Sequence, residues 1–463
     1  MEQYRAACHR QHPVLQRLAH KRLWRYFAED YQQSRTAFRS LARRQGLALR
    51  SEALPSSLGL DLTLDVAVRP GAAGTLLHLA GMRGVDGFVG AAVQRCLLRH
   101  LPQLLPPEVG LVLVHCVNPF GMAAHRLVNE NNVDLEHNFM TEDEFGERMR
   151  QRHRANPAYA AVDALVNPPD KTPPITIPSS CGLPPRAAAG LLWRWLRKEP
   201  VYENIVHGGQ HWRMDGLAFG GFELQPSSQR LLAALAEHRE LLDRPTVVIS
   251  VGVEGSSLKD DTLWVPEASE VEALRITSQY PHVQVQAGGR RNVVQWLQQR
   301  LPRCRAALRQ SFPLQASRLA ALGAMHAENV RYHHMLHRTC ARFQLQGGGG
   351  RRSAAAPAQL RWSALAEDAE GLSSAHLERG RRPAATITEC LMQARGAEAA
   401  DGGKHDKEGG DGVPPACDLR ELFALEEEQW RERAVLRGVL LACQAGRRLA
   451  ATHRAPAGSA DAK

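Results

Sequence analysis

The stretch GMRGVDGFVG, residues Gly81 to Gly90, holds an arginine and an aspartate three positions apart in a glycine-rich bend. An apolar run precedes it and another follows, so the chain turns sharply between two ordered elements. Such a bend at the end of a buried strand is where α/β proteins commonly hold ligands. Arg83 brings a fixed positive charge and no lone pair, whereas Asp86 brings a carboxylate. Further groups able to do chemistry stand in VDLEHNF (Glu136, His137), near the GGQ turn (His207, Gln210, His211, Asp215), at His115 and at Glu389. His333, His337 and Cys340 fall on one face at helical spacing, but without H-E-x-x-H they read as ordinary helix residues. Ser250, Ser256 and Ser257 lack a nucleophile elbow, and Cys116 and Cys390 lie in strand-like runs.

The elements that must position these groups alternate in type. Runs at 60–68, 75–81, 110–119, 244–255, 282–289 and 383–392 read as strands. Helical patterns run through 13–44, 87–100, 187–198, 226–243 (with serines placed as caps), 292–310, 315–343 and 419–445. This alternation predicts an α/β fold with a mixed, mostly parallel sheet and helices on both faces. Residues 344–359 and 394–416 are low-complexity. The organisation expected is a basic extension (1–25), an α/β domain (26–343), an insertion (344–382), a final strand and helix (383–446) with 394–416 disordered, and a disordered tail (447–463).

The 463 residues are 44% hydrophobic, enough for a sizeable core. No apolar run is long enough to cross a membrane. Nine scattered cysteines without C-x-x-C spacing point to a reducing, cytoplasmic compartment. The net charge of +10 is concentrated early: residues 1–50 hold eleven Lys and Arg against Glu2, Glu29 and Asp30. A nucleic-acid or membrane patch and a mitochondrial presequence are alternatives to a solvated helix face. No stacking or zinc-finger motif supports nucleic acid.

Five stretches carry a family resemblance: YFAEDYQQSRTAFRSLARRQG (26–46), HLAGMRGVDGFVGAAVQ (78–94), VHCVNPFGMAAHRLVNENNVDLEHNF (114–139), GGQHWRMDGLAFGG (208–221) and VVISVGVEG (247–255). Together they resemble an uncharacterised, carboxypeptidase-like branch of the zinc-carboxypeptidase superfamily. The resemblance implies a carboxypeptidase-like α/β domain in which His and Glu of a G-x-H-G-x-E-G loop and a later His bind zinc. It also implies that an Asn-Arg pair grips the substrate and that a glutamate on the last catalytic strand is the general base. Carried across, the metal positions hold Arg83, Asp86 and Val251, and the substrate-binding pair is Glu136 and His137. Glu389 falls at the base position, with His115, Gln210 and Asp215 in or around the cleft.

A catalytic zinc needs three protein donors and an open position for water. Arg83 and Val251 supply none, so the expectation is a protein without cofactor that is catalytically inactive and acts as a binding or scaffold protein for a peptide or protein partner. Arg83 is expected in a guanidinium–carboxylate cluster with Asp86 and Glu136, the alternative being an exposed loop residue. Two other functions stay open: an active metal-dependent hydrolase with a rebuilt zinc site drawing on His115, His207 or His211, and a basic module binding nucleic acid or membrane through residues 1–25.

Overall fold

The computed structural model describes residues 13–18, 21–54, 61–167, 199–254, 261–277, 283–287, 292–313 and 428–454, with scattered positions between 189 and 197 and between 321 and 329. Glu389, Cys390, Ser256, Ser257, His333, His337, Cys340, the strand expected at 383–392 and the low-complexity stretches lie outside them. A compact unit comprises residues 1–54, 62–329 and 414–463; a second, 55–61 and 330–413, falls almost wholly outside the described residues.

Eight strands form one sheet: β1 (Ala48–Leu54), β2 (Leu62–Arg69), β3 (Thr75–Leu79), β4 (Gly110–Val114), β5 (Thr246–Glu254), β6 (Asp261–Val265), β7 (Val283–Ala287) and β8 (Cys304–Pro313). Their order is β1-β2-β4-β3-β5-β8-β6-β7. The pairs β4–β3, β3–β5, β5–β8 and β6–β7 are parallel, and the other three antiparallel. The sheet is thus mixed and mostly parallel, as the alternation of elements implied. Every residue of β3 and β4 is buried. Successive side chains point to opposite faces, so both faces of the sheet centre are covered.

The covering helices include α1 (Tyr31–Arg44), α2 (Gly87–Arg99), α3 (Glu142–Gln151), α4 (Val201–Val206), α5 (Pro226–Glu237), α6 (Glu270–Thr277), α7 (Val293–Arg300) and α8 (Glu428–Arg454). Helices α1 and α8 both pack on α2, while α7 lies against β5 and β8.

Several sequence-based boundaries change. The pattern from Pro13 to Arg44 is interrupted: Pro13–Leu18 is a short helix, Leu23–Tyr26 a 3-10 turn, and α1 starts afresh after Asp30. The cause is local, since the Asp30 carboxylate accepts from the Gln33 amide and caps the new helix. The serines expected to cap α5 sit buried in its first turn, and Gln225 takes the cap position. The helix expected over 292–310 ends at Arg300, and the chain returns as strand β8, inserted between β5 and β6. The tail expected from 447 remains helical to Arg454, because Leu449 and Ala450 are buried.

Candidate functional site

Arg83 follows β3 through the turn Ala80-Gly81-Met82 and precedes a 3-10 turn, Gly84–Asp86, that leads into α2. Gly84 has φ +23°, and a Cβ there would stand 2.1 Å from the Arg126 carbonyl oxygen. Only glycine fits so close a crossing, and that crossing turns Arg83 inward. Its side chain is buried, 4% exposed. Nε donates to Oδ2 of Asp134 at 3.1 Å and Nη2 to the Val206 carbonyl at 2.7 Å.

Asp134 begins the 3-10 turn Leu135–His137 and accepts the Glu136 amide at 3.0 Å. His137 Nε2 donates to the same Val206 carbonyl, at 3.0 Å. The end of α4 is therefore held by two donors, the kind of partner a helix C-terminus lacks internally. Burial pulls the His137 imidazole below its usual range, Asp134 opposes this, and Arg83 adds to it.

Glu136 points elsewhere. Its Oε1 accepts from Nε of Arg309 on β8 at 2.9 Å, and both side chains are buried. Arg309 also donates to Ser311 Oγ at 3.1 Å. A Cβ on Gly252 would lie 2.9 Å from Arg309 Nη2 and 3.0 Å from Asp86 Oδ2. The glycine of β5 thus makes room for a guanidinium and a carboxylate side by side. Arg83, Asp134, Glu136, Arg309 and Asp86 form a buried constellation with His137 on its flank.

The loop carrying Asp134 to His137 is pinned by asparagines. Asn129 Oδ1 accepts from the amides of Asn131 and Val133; Asn132 donates to the Met214 and Gly216 carbonyls; Asn138 donates to those of Gly220 and Glu223. A buried loop needs such substitutes for secondary-structure hydrogen bonds. Their density in NENNVDLEHN explains why this stretch is so distinctive.

The expected site residues divide. Arg83 is buried in a guanidinium–carboxylate cluster, not exposed on a loop, but the acid whose contact is defined is Asp134. The expected pairing with Glu136 is corrected, because the 3-10 turn aims Asp134 toward β3 and Glu136 toward β8. Val251 is 1% exposed and lies beside Gly90 of α2; VGVE is the end of strand β5, not a turn, and its residue that meets the constellation is Gly252. His115 lies apart, against α1: Nε2 bonds Ser34 Oγ at 2.9 Å, and the ring packs on Phe38 and Tyr31. Burial lowers its pKa to about 4. Gln210 closes its own loop, with Oε1 accepting the amides of Trp212 and Arg213. Asp215 lies 3.4 Å from Arg213. His211 Nδ1 donates to the Gly221 carbonyl at 2.8 Å, whereas the His207 ring packs at a tilt against Trp264, centroids 5.0 Å apart. Ser250 and Cys116 are buried in or after core strands.

Among the described residues no three His, Cys, Asp or Glu side chains are grouped so as to hold a metal ion. The residue types at the constellation do not fit zinc: guanidinium has no lone pair, valine and glycine no donor, and the carboxylates of Asp134 and Glu136 already face arginines.

Residues 27–253 match the family described as Protein of unknown function (DUF2817). The match includes every constellation residue except Arg309. The matched segment spans just under half of the chain. The fold is α/β, built on one mixed, mostly parallel sheet.

Solved structures similar to this chain include a metallo-carboxypeptidase from Burkholderia cenocepacia, at 10% identity and TM-score 0.37, covering 67% of this chain and 70% of that one. Carboxypeptidase A from Helicoverpa armigera gives 10% identity and TM-score 0.36, over 66% and 73%. A metallo-carboxypeptidase from Pseudomonas aeruginosa gives 13% and 0.34, over 67% and 70%. No curated protein matches the chain.

Proposed function

We propose that this is a non-catalytic carboxypeptidase-like protein, which binds a peptide or protein partner in its cleft and does not cut it. The observation that carries the reading is the buried pairing of Arg83 with Asp134. By the family resemblance, Arg83 stands at the position of the first zinc-binding histidine. A guanidinium held there by a carboxylate and a carbonyl keeps the loop's shape and supplies positive charge without a coordination site. Asp86 is the single donor left from the three implied positions, against three that a catalytic zinc requires. The expected base, Glu389, lies outside the described residues. A reducing, cytoplasmic setting is part of the proposal, supported by free thiols at Cys96, Cys116 and Cys304.

The test is hydrolysis by the full chain, with and without added zinc, of peptides with free C-termini, read by mass spectrometry. The expected result is no loss of C-terminal residues above the buffer control. Release that disappears on His115→Ala, His207→Ala or His211→Ala would establish a rebuilt metal site instead.

A further inference from the structure

Apart from the buried constellation, α1 and α2 flank an open groove of about 570 Å³. Arg44 of α1 and Arg95 and Arg99 of α2 line it. Arg99 ends α2, and Asp86 precedes its first residue, so the groove's basic end is roughly 20 Å along the helix from the constellation. The three guanidiniums are poorly neutralised. Arg95 Nη1 donates to the Tyr26 carbonyl at 2.6 Å and Arg44 Nη2 to Ser40 Oγ at 2.9 Å. Among the described residues, no carboxylate forms an ion pair with any of the three. Asp30 is the one acid in the lining, and its Oδ1 is engaged in capping α1. The cationic field extends past the groove: His100 is held below the usual histidine range by burial and by Lys21, Arg99 and Arg17.

We infer that this groove is a docking site for an acidic peptide segment of a partner protein. Carboxylates along such a segment would meet the forked donors of Arg44, Arg95 and Arg99, and the amide and hydroxyl side chains of Gln33, Thr36 and Ser40 would serve its backbone. The shape favours a peptide over other anions. Single-stranded nucleic acid is gripped by stacking on aromatic rings, and the lining contains none. A membrane-binding face carries apolar side chains to insert, whereas the lining offers only Ala37 and Leu41 in a concave floor.

The test is fluorescence anisotropy of the full chain with a fluorescein-labelled Asp/Glu-rich peptide of about 12 residues. The expected result is saturable binding that weakens at least tenfold in Arg44→Glu/Arg99→Glu and persists in Arg150→Glu/Arg239→Glu, an equal charge change at exposed sites elsewhere. Raising salt from about 50 to about 300 mM should weaken binding further. Arg99→Gln, a milder change at an exposed position, should weaken binding severalfold with an unchanged melting temperature. Absence of peptide binding, or equal weakening by both double variants, would overturn the inference. So would tighter binding of a single-stranded RNA, or of phosphatidylserine vesicles, lost on the same Arg44→Glu/Arg99→Glu change.

Discussion

Arg309 on β8 donates to the Glu136 carboxylate at 2.9 Å across 173 residues of chain, and neither side chain reaches solvent. That bond ties the last described strand of the sheet to the turn that also holds Asp134 and His137. Breaking one partner leaves a buried charge alone, at a cost of about 3–5 kcal/mol. Arg309→Met should therefore lower stability in urea by that order, and Arg309→Met/Glu136→Leu should recover most of the loss. Additive effects of the two changes would show that the residues do not act as a pair.

Arg83 uses a fork, not a point charge: Nε faces Asp134 and Nη2 the Val206 carbonyl. A lysine keeps the charge but cannot reach both acceptors in that geometry. Arg83→Lys is expected to lose ~1–3 kcal/mol in denaturant unfolding, and Arg83→Ala more, since it strands Asp134. A fully stable Arg83→Ala would mean that the pairing contributes little to the fold.

Gly84 permits the crossing that turns Arg83 inward. With φ +23° and a backbone oxygen 2.1 Å from any Cβ, Gly84→Ala combines strain with a clash that no side-chain movement relieves. A loss of at least ~2 kcal/mol is expected, measured by thermal unfolding. An unchanged melting temperature would place the loop differently.

Acid should weaken the fold. Burial lowers the pKa of His78, His115 and His211 to about 4, below the ordinary value of 6.5. Between those limits the unfolded chain binds protons that the folded chain refuses, so stability rises with pH across that window. It is whole above about pH 6.5 and falls as pH drops toward 4, by up to ~1.4 kcal/mol per pH unit for each histidine. His115→Gln should flatten the dependence by about one proton. An unchanged slope in that variant would show that His115 is protonated equally in both states.

The sheet's centre was legible because strands buried on both faces read as unbroken apolar runs, as in TLLHL and GLVLV. Strands β1 and β6 were not. β1 lies at the sheet edge with an exposed, charged sequence, ALRSEAL, and β6, DTLWV, begins on two polar residues that break the apolar run. β8 was hidden by composition: CRAALRQSFP is rich in helix formers, and pairing between β5 and β6 overrides that preference. Arg309 was missed for this reason, since a residue assigned to a helix has no place beside a turn 173 positions away. Arg83 was legible as a cation set in a glycine-rich bend after a buried strand. Its acid was not, because the two carboxylates flanking Leu135 differ only in which way a 3-10 turn aims them.

The central claim is that this constellation holds charge pairs and not a metal. Its most direct test is metal content: the full chain is incubated with excess zinc, exhaustively dialysed, and analysed by inductively coupled plasma mass spectrometry. Retention far below one zinc per chain, unchanged by Asp86→Ala, is the predicted result. One zinc per chain, lost on Asp86→Ala, would contradict it.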